Sequence, residues 1–377
     1  MSAFLGPIHH WLYNKIQLEN KMTNEVASLL GITEEVDTKF EHLDIRPLEE
    51  IIDESNIHGW LQEKVDLVER RFAFVLSKAT VDGHLQQDVI ECIKRFGGET
   101  AIELNINSLK DVYQIMNDLL LDGMPCDHVN SLESEEENKI VIRRNNCIHG
   151  KYYGEYNMDA TAYYEARKAF MDGVLNFTPY AYIEIDSAYH LVRKDSVQIM
   201  VEEHDNILRM VKVIRHECKK LMNGEAPDME KWAKLTDFVG NYADAHHHGK
   251  EEQLFFNVME ENLGPAGQKL IRNGMLVEHD MGRLYMHDLK EDLKELAAGT
   301  EERRLDAIAN AISYCHLITR HIEKENTLVY PFGQKNLSEE LMNQVNEDVY
   351  QFEEKAYTEN TQNRFAEMIR EMEKELY

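Results

Sequence analysis

Apolar residues recur at intervals of three and four along most of this chain, so the elements they predict are mostly helical. Phe4, Leu5, Ile8, Trp11, Leu12, Ile16 and Met22 set that rhythm over residues 4–30, with Pro7 tolerable only in the first turn. The same period predicts helices over about 48–79, 85–96 and 108–121, with Gly97-Gly98 separating the last two. After Gly123 the texture changes. Met124-Pro-Cys-Asp-His128 reads as a turn, residues 131–138 as an acidic loop, and Ile140-Val-Ile142 as a strand. A further helix is expected over 159–175, and Tyr180-Ala-Tyr-Ile-Glu-Ile-Asp186 alternates as a half-buried strand does. Residues 1–190 therefore read as a mostly helical α+β domain with a small sheet.

The rest of the chain is simpler. Caps and breakers at Asp195-Ser196, Asn223-Gly224, Asp228, Leu263-Gly-Pro265, Gly299-Thr300 and Pro331 mark four long helices. Their linkers are only a few residues long, so neighbours must run antiparallel. An up-down-up-down four-helix bundle is expected over 191–335. Residues 336–377 are acidic and amphipathic, which predicts one or two helices packed outside the bundle or on a partner.

Composition narrows the function. A net charge of -28 over 377 residues disfavours nucleic acid and anionic membranes, whose phosphates call for clustered Lys and Arg. No run approaches the length of a membrane span, and the opening residues lack a basic, then apolar, leader pattern. Five scattered cysteines suit a reducing cytosol better than a disulfide framework, and Cys218 and Cys315 read as small buried apolar residues. A cytoplasmic setting is the expectation.

The candidate chemistry lies in the bundle. His247 and Glu251 are four residues apart, as are His321 and Glu325, which puts each pair on one helical face. Each pair follows an acidic-His-Asp cluster at nearly the same distance: His204 is 43 residues before His247, and His279 is 42 before His321. Counted from the three turns, near 225, 263 and 299, the four histidines fall at matching heights to within a few ångströms, at roughly 1.5 Å per residue. Any one of them could be an ordinary core histidine. Four imidazoles and two carboxylates in one apolar layer need a cation, because buried carboxylates must be compensated. The mixed imidazole and carboxylate donor set without sulfur favours iron, while spacing alone also admits manganese or zinc.

These residues carry a resemblance. His204-Asp, His247-x-x-x-Glu251-Glu with Leu254-Phe-Phe, Glu278-His-Asp280 and His321-x-x-x-Glu325-Asn with Tyr330-Pro331 are similar to the hemerythrin-like (HHE cation-binding) family over about 190–335. The resemblance implies a four-helix bundle around two iron ions joined by an oxo or hydroxo bridge. Position by position, it makes His204, His247, His279 and His321 terminal ligands and Glu251 and Glu325 bridges. It also implies a fifth histidine one turn after His279, where this chain has Arg283. His287 and His216 are the supplementary candidates, although each lies far along its helix from the layer; His246, His248 and His316 read as pointing off the ligand face. A water, Glu or Tyr oxygen is the other way to fill that place, which favours an open, reactive metal over reversible oxygen storage.

In the first domain, Cys126-Asp-His128 and Cys147-Ile-His149 repeat the form Cys-x-His, a set of four donors for a second metal or redox site if strands bring them together. The functional expectation is a non-haem di-iron protein that binds or senses a small diatomic or peroxide (O2, NO or H2O2). The first domain would then serve sensing, regulation or dimerisation as a homodimer. Two alternatives remain open: an oxidoreductase that uses an electron donor to reduce such molecules or repair iron centres, and a metal-storage or structural zinc protein.

Overall fold

In the computed structural model, which describes residues 5–136, 138–358, 361–374 and 376, contacts divide the chain into two units, Met1–Arg193 and Lys194–Tyr377. Phe4, where the first helix was expected to open, and the last residue of the tail lie outside the described residues.

The apolar period of the first unit becomes α1 (Pro7–Leu29), α2 (Thr33–Lys39), α3 (Leu48–Ile51), α4 (Ile57–Ala79), α5 (Gln87–Thr100), α6 (Leu109–Leu119), α7 (Gly150–Gly154) and α8 (Thr161–Val174). Gly97-Gly98 does not separate two helices as expected. It lies inside α5, where that helix crosses α8. A β-carbon on Gly97 would stand 2.2 Å from the Phe170 carbonyl oxygen, and one on Gly173 only 1.9 Å from that of Lys94. Both glycines are there because the backbones touch.

Strands β1 (Thr80–Val81) and β2 (His84–Leu85) form a hairpin across Asp82-Gly83, both at positive φ. The main antiparallel sheet has the order β3-β4-β6-β5, from β3 (Asn130–Glu136), β4 (Lys139–Arg144), β5 (Tyr180–Ile185) and β6 (Ala188–Arg193). Ile140, Ile142, Tyr182, Tyr189 and Leu191 are buried in one core with the helices. The expected acidic loop at 131–138 is instead the edge strand β3. Its charges sit where an edge strand tolerates them, with Glu133 paired to Arg143 at 2.6 Å.

The second unit is the four-helix bundle that the apolar pattern predicts. Helix α9 (Ser196–Met222) opens on a capping box in which Asp195 accepts from the Gln198 amide and Gln198 from the Asp195 amide. Helix α10 (229–262) starts from the Asp228 cap, α11 (264–297) ends at Gly299 with φ +102, and α12 (303–336) follows. Pro331 does not end α12 as expected. A stretch of i→i+5 turns over Glu325–Val329 re-registers the ladder, so Pro331 falls in the first turn of a fresh α-helical segment, Tyr330–Asn336.

Two further helices, α13 (Glu339–Thr358) and α14 (Thr361–Glu373), lie on the bundle's outside. Val345 and Val349 of α13 share a core with Val197, Met200, Phe255, Phe256 and Tyr330. The ion pairs Arg209–Glu373 and Lys234–Glu371 tie α14 to α9 and α10. Among the described residues, no helix is long and apolar enough to cross a membrane.

Candidate metal centre

Three of the bundle's helices contain i→i+5 turns, a rare form that recurs at functional sites. They cover Val239–His248 and Glu251–Phe255 in α10, Ile271–Met275 in α11 and Glu325–Val329 in α12. In such a turn successive side chains are separated by a smaller angle than in an α-helix. Adjacent residues can then face the same way.

At this level the structure brings together His204 from α9, His247, His248 and Glu251 from α10, His279 from α11, and His321 and Glu325 from α12. All seven are buried. Their donor atoms form two groups that share Glu251: His204, His247, Glu251 and Glu325 in one, and His248, Glu251, His279 and His321 in the other. Glu325 faces both, with Oε2 3.2 Å from His204 Nε2 and Oε1 2.9 Å from His321 Nε2. His279 Nε2 lies 3.4 Å from Glu251 Oε2 and 3.0 Å from His321 Nε2.

Each imidazole is held from behind by its other nitrogen. His247 Nδ1 bonds Glu203 Oε2 at 2.9 Å, His248 Nδ1 bonds Asp244 Oδ1 at 3.2 Å, and His279 Nδ1 bonds Glu252 Oε1 at 2.6 Å. His321 Nδ1 bonds Glu278 Oε2 at 2.8 Å, and His204 Nδ1 bonds the Asn326 side-chain oxygen at 2.8 Å. A carboxylate only accepts, so Nδ1 carries a proton and Nε2 is the nitrogen that faces inward. Without protons or cations between them, these inward groups would be acceptors facing acceptors. Among the described residues, His247 Nε2, His248 Nε2, Glu251 Oε2 and both Glu325 oxygens are buried without a hydrogen-bond partner. Buried orphans of this kind are rare, and cations are what they fit.

The charges agree. Burial, and then Glu325 beside it, push the Glu251 carboxyl well above its usual range. Burial opposes ionisation of Glu325 too, but His321, His204 and His279 hold it well below that range. Burial and the neighbouring His204 lower His247 to about 4. Burial also works against the charge on His321, which Glu325 and Glu278 nevertheless raise to about 10. Without a cation, then, a proton must stand in for it.

The holding carboxylates are themselves braced. Arg283, at the position where the resemblance implies a histidine, donates from Nε to Asp244 at 2.9 Å and from Nη2 to Glu252 at 2.7 Å. It thereby positions the partners of both His248 and His279. Lys324 bonds Glu278, and the fully buried Lys250 bonds Glu203. Tyr330 donates to Glu251 Oε1 at 2.5 Å and stacks on His204 with its hydroxyl 3.3 Å from Nε2.

The fifth imidazole is thus His248, which the sequence reading turned away from the site. His287 instead lines a cavity of ≈ 200 Å³ beside His248, His279 and His321, together with Arg283 and Tyr314. His216 is half-buried, and neither it nor His287 belongs to the converging groups. Glu203, His246 and Glu353 make a third cluster of ligand type, but the Lys250 ammonium bonds both of its carboxylates.

The second site expected in the first unit does not assemble. Cys126, His128 and Cys147 are exposed, whereas His149 is fully buried. His128 takes the left-handed conformation that closes a short turn at Pro125–Asp127. His149 points into the core, bonded through Nδ1 to Glu69 at 2.9 Å and stacked on Tyr163. The i, i+2 argument required strands, and neither Cys-x-His lies on one.

Residues 195–332 match the hemerythrin HHE cation binding domain, and the match does not extend into the N-terminal half. No curated protein and no solved structure matches the chain. Domains of this kind bind metal cations, commonly iron, so the second unit is a metal-binding, hemerythrin-like bundle with clustered His and Glu to hold the ions.

Proposed function

We propose that the bundle is a non-haem di-iron centre that binds or senses a small diatomic or peroxide in the cytosol. The observation that carries this reading is the inward convergence of five Nε2 atoms and two buried carboxylates, each ring held from behind through Nδ1. His204 and His247 would serve one ion, and His248, His279 and His321 the other. Glu251 and Glu325 would lie between the two. Bound there, two iron ions supply redox-active Lewis-acid positions to which a diatomic or peroxide can bind.

The chain's own residues do the rest. The outer carboxylates fix each imidazole's tautomer and ring plane. Phe255, Phe256 and Met259 keep the adjacent layer apolar, which limits water. Two imidazoles, His204 and His247, would hold the ion on the side where the Tyr330 hydroxyl lies, and three would hold the ion beside the cavity lined by His248, His279 and His321.

Metal analysis with absorption spectra of the anaerobic and air-exposed protein tests this. About two irons per chain and a spectrum that changes on exposure to air support it; a colourless zinc protein overturns it.

Tyr330 favours a second reading, an oxidoreductase that reduces peroxide, oxygen or nitric oxide with an electron donor. Its phenol keeps a proton inside the cluster, donated to Glu251 Oε1. Multiple turnover with a donor would mark the enzyme, and a stable adduct without turnover the binder.

A further inference from the structure

Helix α13 lies beyond the residues that match the cation-binding domain, yet one of its side chains joins the network behind a candidate ligand. Glu353 bonds the ammonium of Lys250 and lies 3.2 Å from His246 Nε2. Lys250 is 0% exposed and bonds Glu203, whose other oxygen takes the His247 Nδ1–H. Phe352, the neighbour of Glu353, packs over this junction: its ring is 5.6 Å from that of His246 and 5.7 Å from Lys250 Nζ. A β-carbon on Gly249 would meet the same ring at 3.6 Å, in ordinary contact. Elsewhere on the helix, Asn346 caps α9 by accepting from the Ser196 amide at 2.9 Å, and Tyr350 donates to the Lys194 carbonyl at 2.8 Å.

We infer that α13 is a built-in strap on the metal centre, in which Glu353 is a positioning residue that acts through Lys250 and Glu203 to fix the orientation and tautomer of His247. Lys250 also lies 2.9 Å from His246 Nε2, and a buried ammonium with one carboxylate and one imidazole would still need a partner for its third proton. Glu353 supplies one and so locks Lys250, which leaves Glu203 one oxygen for the imidazole. Without Glu353, Lys250 can swing toward solvent or take both oxygens of Glu203. In either case His247 loses its fixed acceptor. His247 is held by Glu203 of α9, and the brace behind that carboxylate reaches outside the bundle, through Lys250 to Glu353. The other four imidazoles are held by Asn326, Asp244, Glu252 and Glu278, all on the bundle's own helices.

The inference rests on the di-iron reading for its consequence but not for its geometry, and the full-length chain tests the two separately. In the metal-free protein, nitrogen-15 spectra of labelled histidines should show His247 as a single Nδ1–H tautomer. Glu353→Gln should turn that signal into a mixture while leaving those of His279 and His321 unchanged. In the iron-loaded protein, Glu353→Gln should speed release of iron to a ferrous chelator by about ten-fold, the lower end of what losing a partner behind a ligand does. Arg209→Met, which removes the Arg209–Glu373 pair and the bond to Asn206 but touches none of Glu353, Lys250 and Glu203, should leave both readings at wild-type values. Should Glu353→Gln not fold, Glu353→Asp gives the same readouts with a shortened carboxylate. An unchanged His247 signal together with iron release within about two-fold of wild type overturns the strap. A wild-type chain that takes up no iron overturns the di-iron reading instead, and the metal-free spectra still decide the strap.

Discussion

His247 and His248 are consecutive in the chain, yet both turn Nε2 into the same chamber, with ring centroids 5.5 Å apart. In an α-helix, neighbours diverge too far for that. The i→i+5 turns of Val239–His248 narrow the angle, and Asp244, four residues before His248, holds the second ring by Nδ1. His248→Leu should therefore empty the ion shared with His279 and His321 first, bringing metal content from about two toward about one per chain. His216→Leu should leave it unchanged. Elemental analysis of the two purified variants decides this. Equal metal content in His248→Leu and wild type would sink the assignment.

Arg283 is an arginine because its work lies one step outside the donors. It holds Asp244 and Glu252 together, and they in turn hold His248 and His279. Arg283→Met keeps the stem and removes the fork, leaving two partly buried carboxylates without their brace. Metal affinity should fall by about 10–100-fold, the usual effect of losing such support. Arg283→Lys should recover only part of it, because one ammonium cannot reproduce a bidentate brace. Competition with a chelator of known affinity gives the numbers.

Much of this site could be read from residue order. Spacing alone placed His204, His247, His279 and His321 in one layer, because α-helical rise is constant and the linkers are short. His248 was out of reach for the same reason: a face assigned at the α-helical angle excludes the residue next door, and nothing local announces the wider turn. Pro331 misled in a related way, since the re-registered ladder that accommodates it is set by Glu325–Val329 packing in the bundle. In the first unit, Gly97-Gly98 looked like a breaker because the helix that needs its missing side chain, α8, lies about seventy residues on. The acidic run of β3 suits a sheet edge and carries only one apolar residue, Leu132, so residue order does not distinguish it from a loop.

Proton release should accompany metal uptake. In the metal-free protein His321 is held up to about 10, so near neutrality it is charged and must give up its proton before Nε2 can act as a donor. Burial and Glu325 also keep Glu251 protonated well above the usual carboxylate range. Both effects have the same sign: affinity should rise with pH and weaken as pH falls, by up to about ten-fold per pH unit for each proton displaced. Calorimetric titration with a divalent metal in two buffers of different ionisation enthalpy measures the protons released. A binding heat independent of buffer would contradict the scheme.

The α5–α8 crossing offers a test of the first unit. On Gly173 a methyl group would sit 1.9 Å from a backbone oxygen, which cannot rotate away as a side chain would. Gly173→Ala should destabilise the unit by about 1–3 kcal/mol or more through forced separation of the helices. Gly154→Ala, where an added β-carbon meets nothing within 4 Å, should be nearly silent. Thermal melts of the two variants separate them.

His149 makes the first unit's stability depend on pH in a predictable direction. Burial disfavours its charged form, but Glu69, with both oxygens within 3.1 Å of Nδ1, and Asp122 outweigh this and raise it to about 9 from an ordinary 6.5. A folded-state value above the unfolded one stabilises fully while both states are protonated, below about 6.5, and the contribution disappears as pH climbs through 9. A shift of that size corresponds to roughly 3 kcal/mol. Unfolding by denaturant, followed through Trp11 and Trp60, should show stability falling by about that amount between pH 6.5 and 9. His149→Gln should remove the slope and lower the starting point by about 3–5 kcal/mol, since Glu69 is then buried without its cation. Glu69→Gln with His149→Gln should recover part of that loss, because a neutral pair needs no compensation in the core. A wild-type curve flat across this window would mean that His149 is neutral where it lies, held by hydrogen bonding to Glu69 alone.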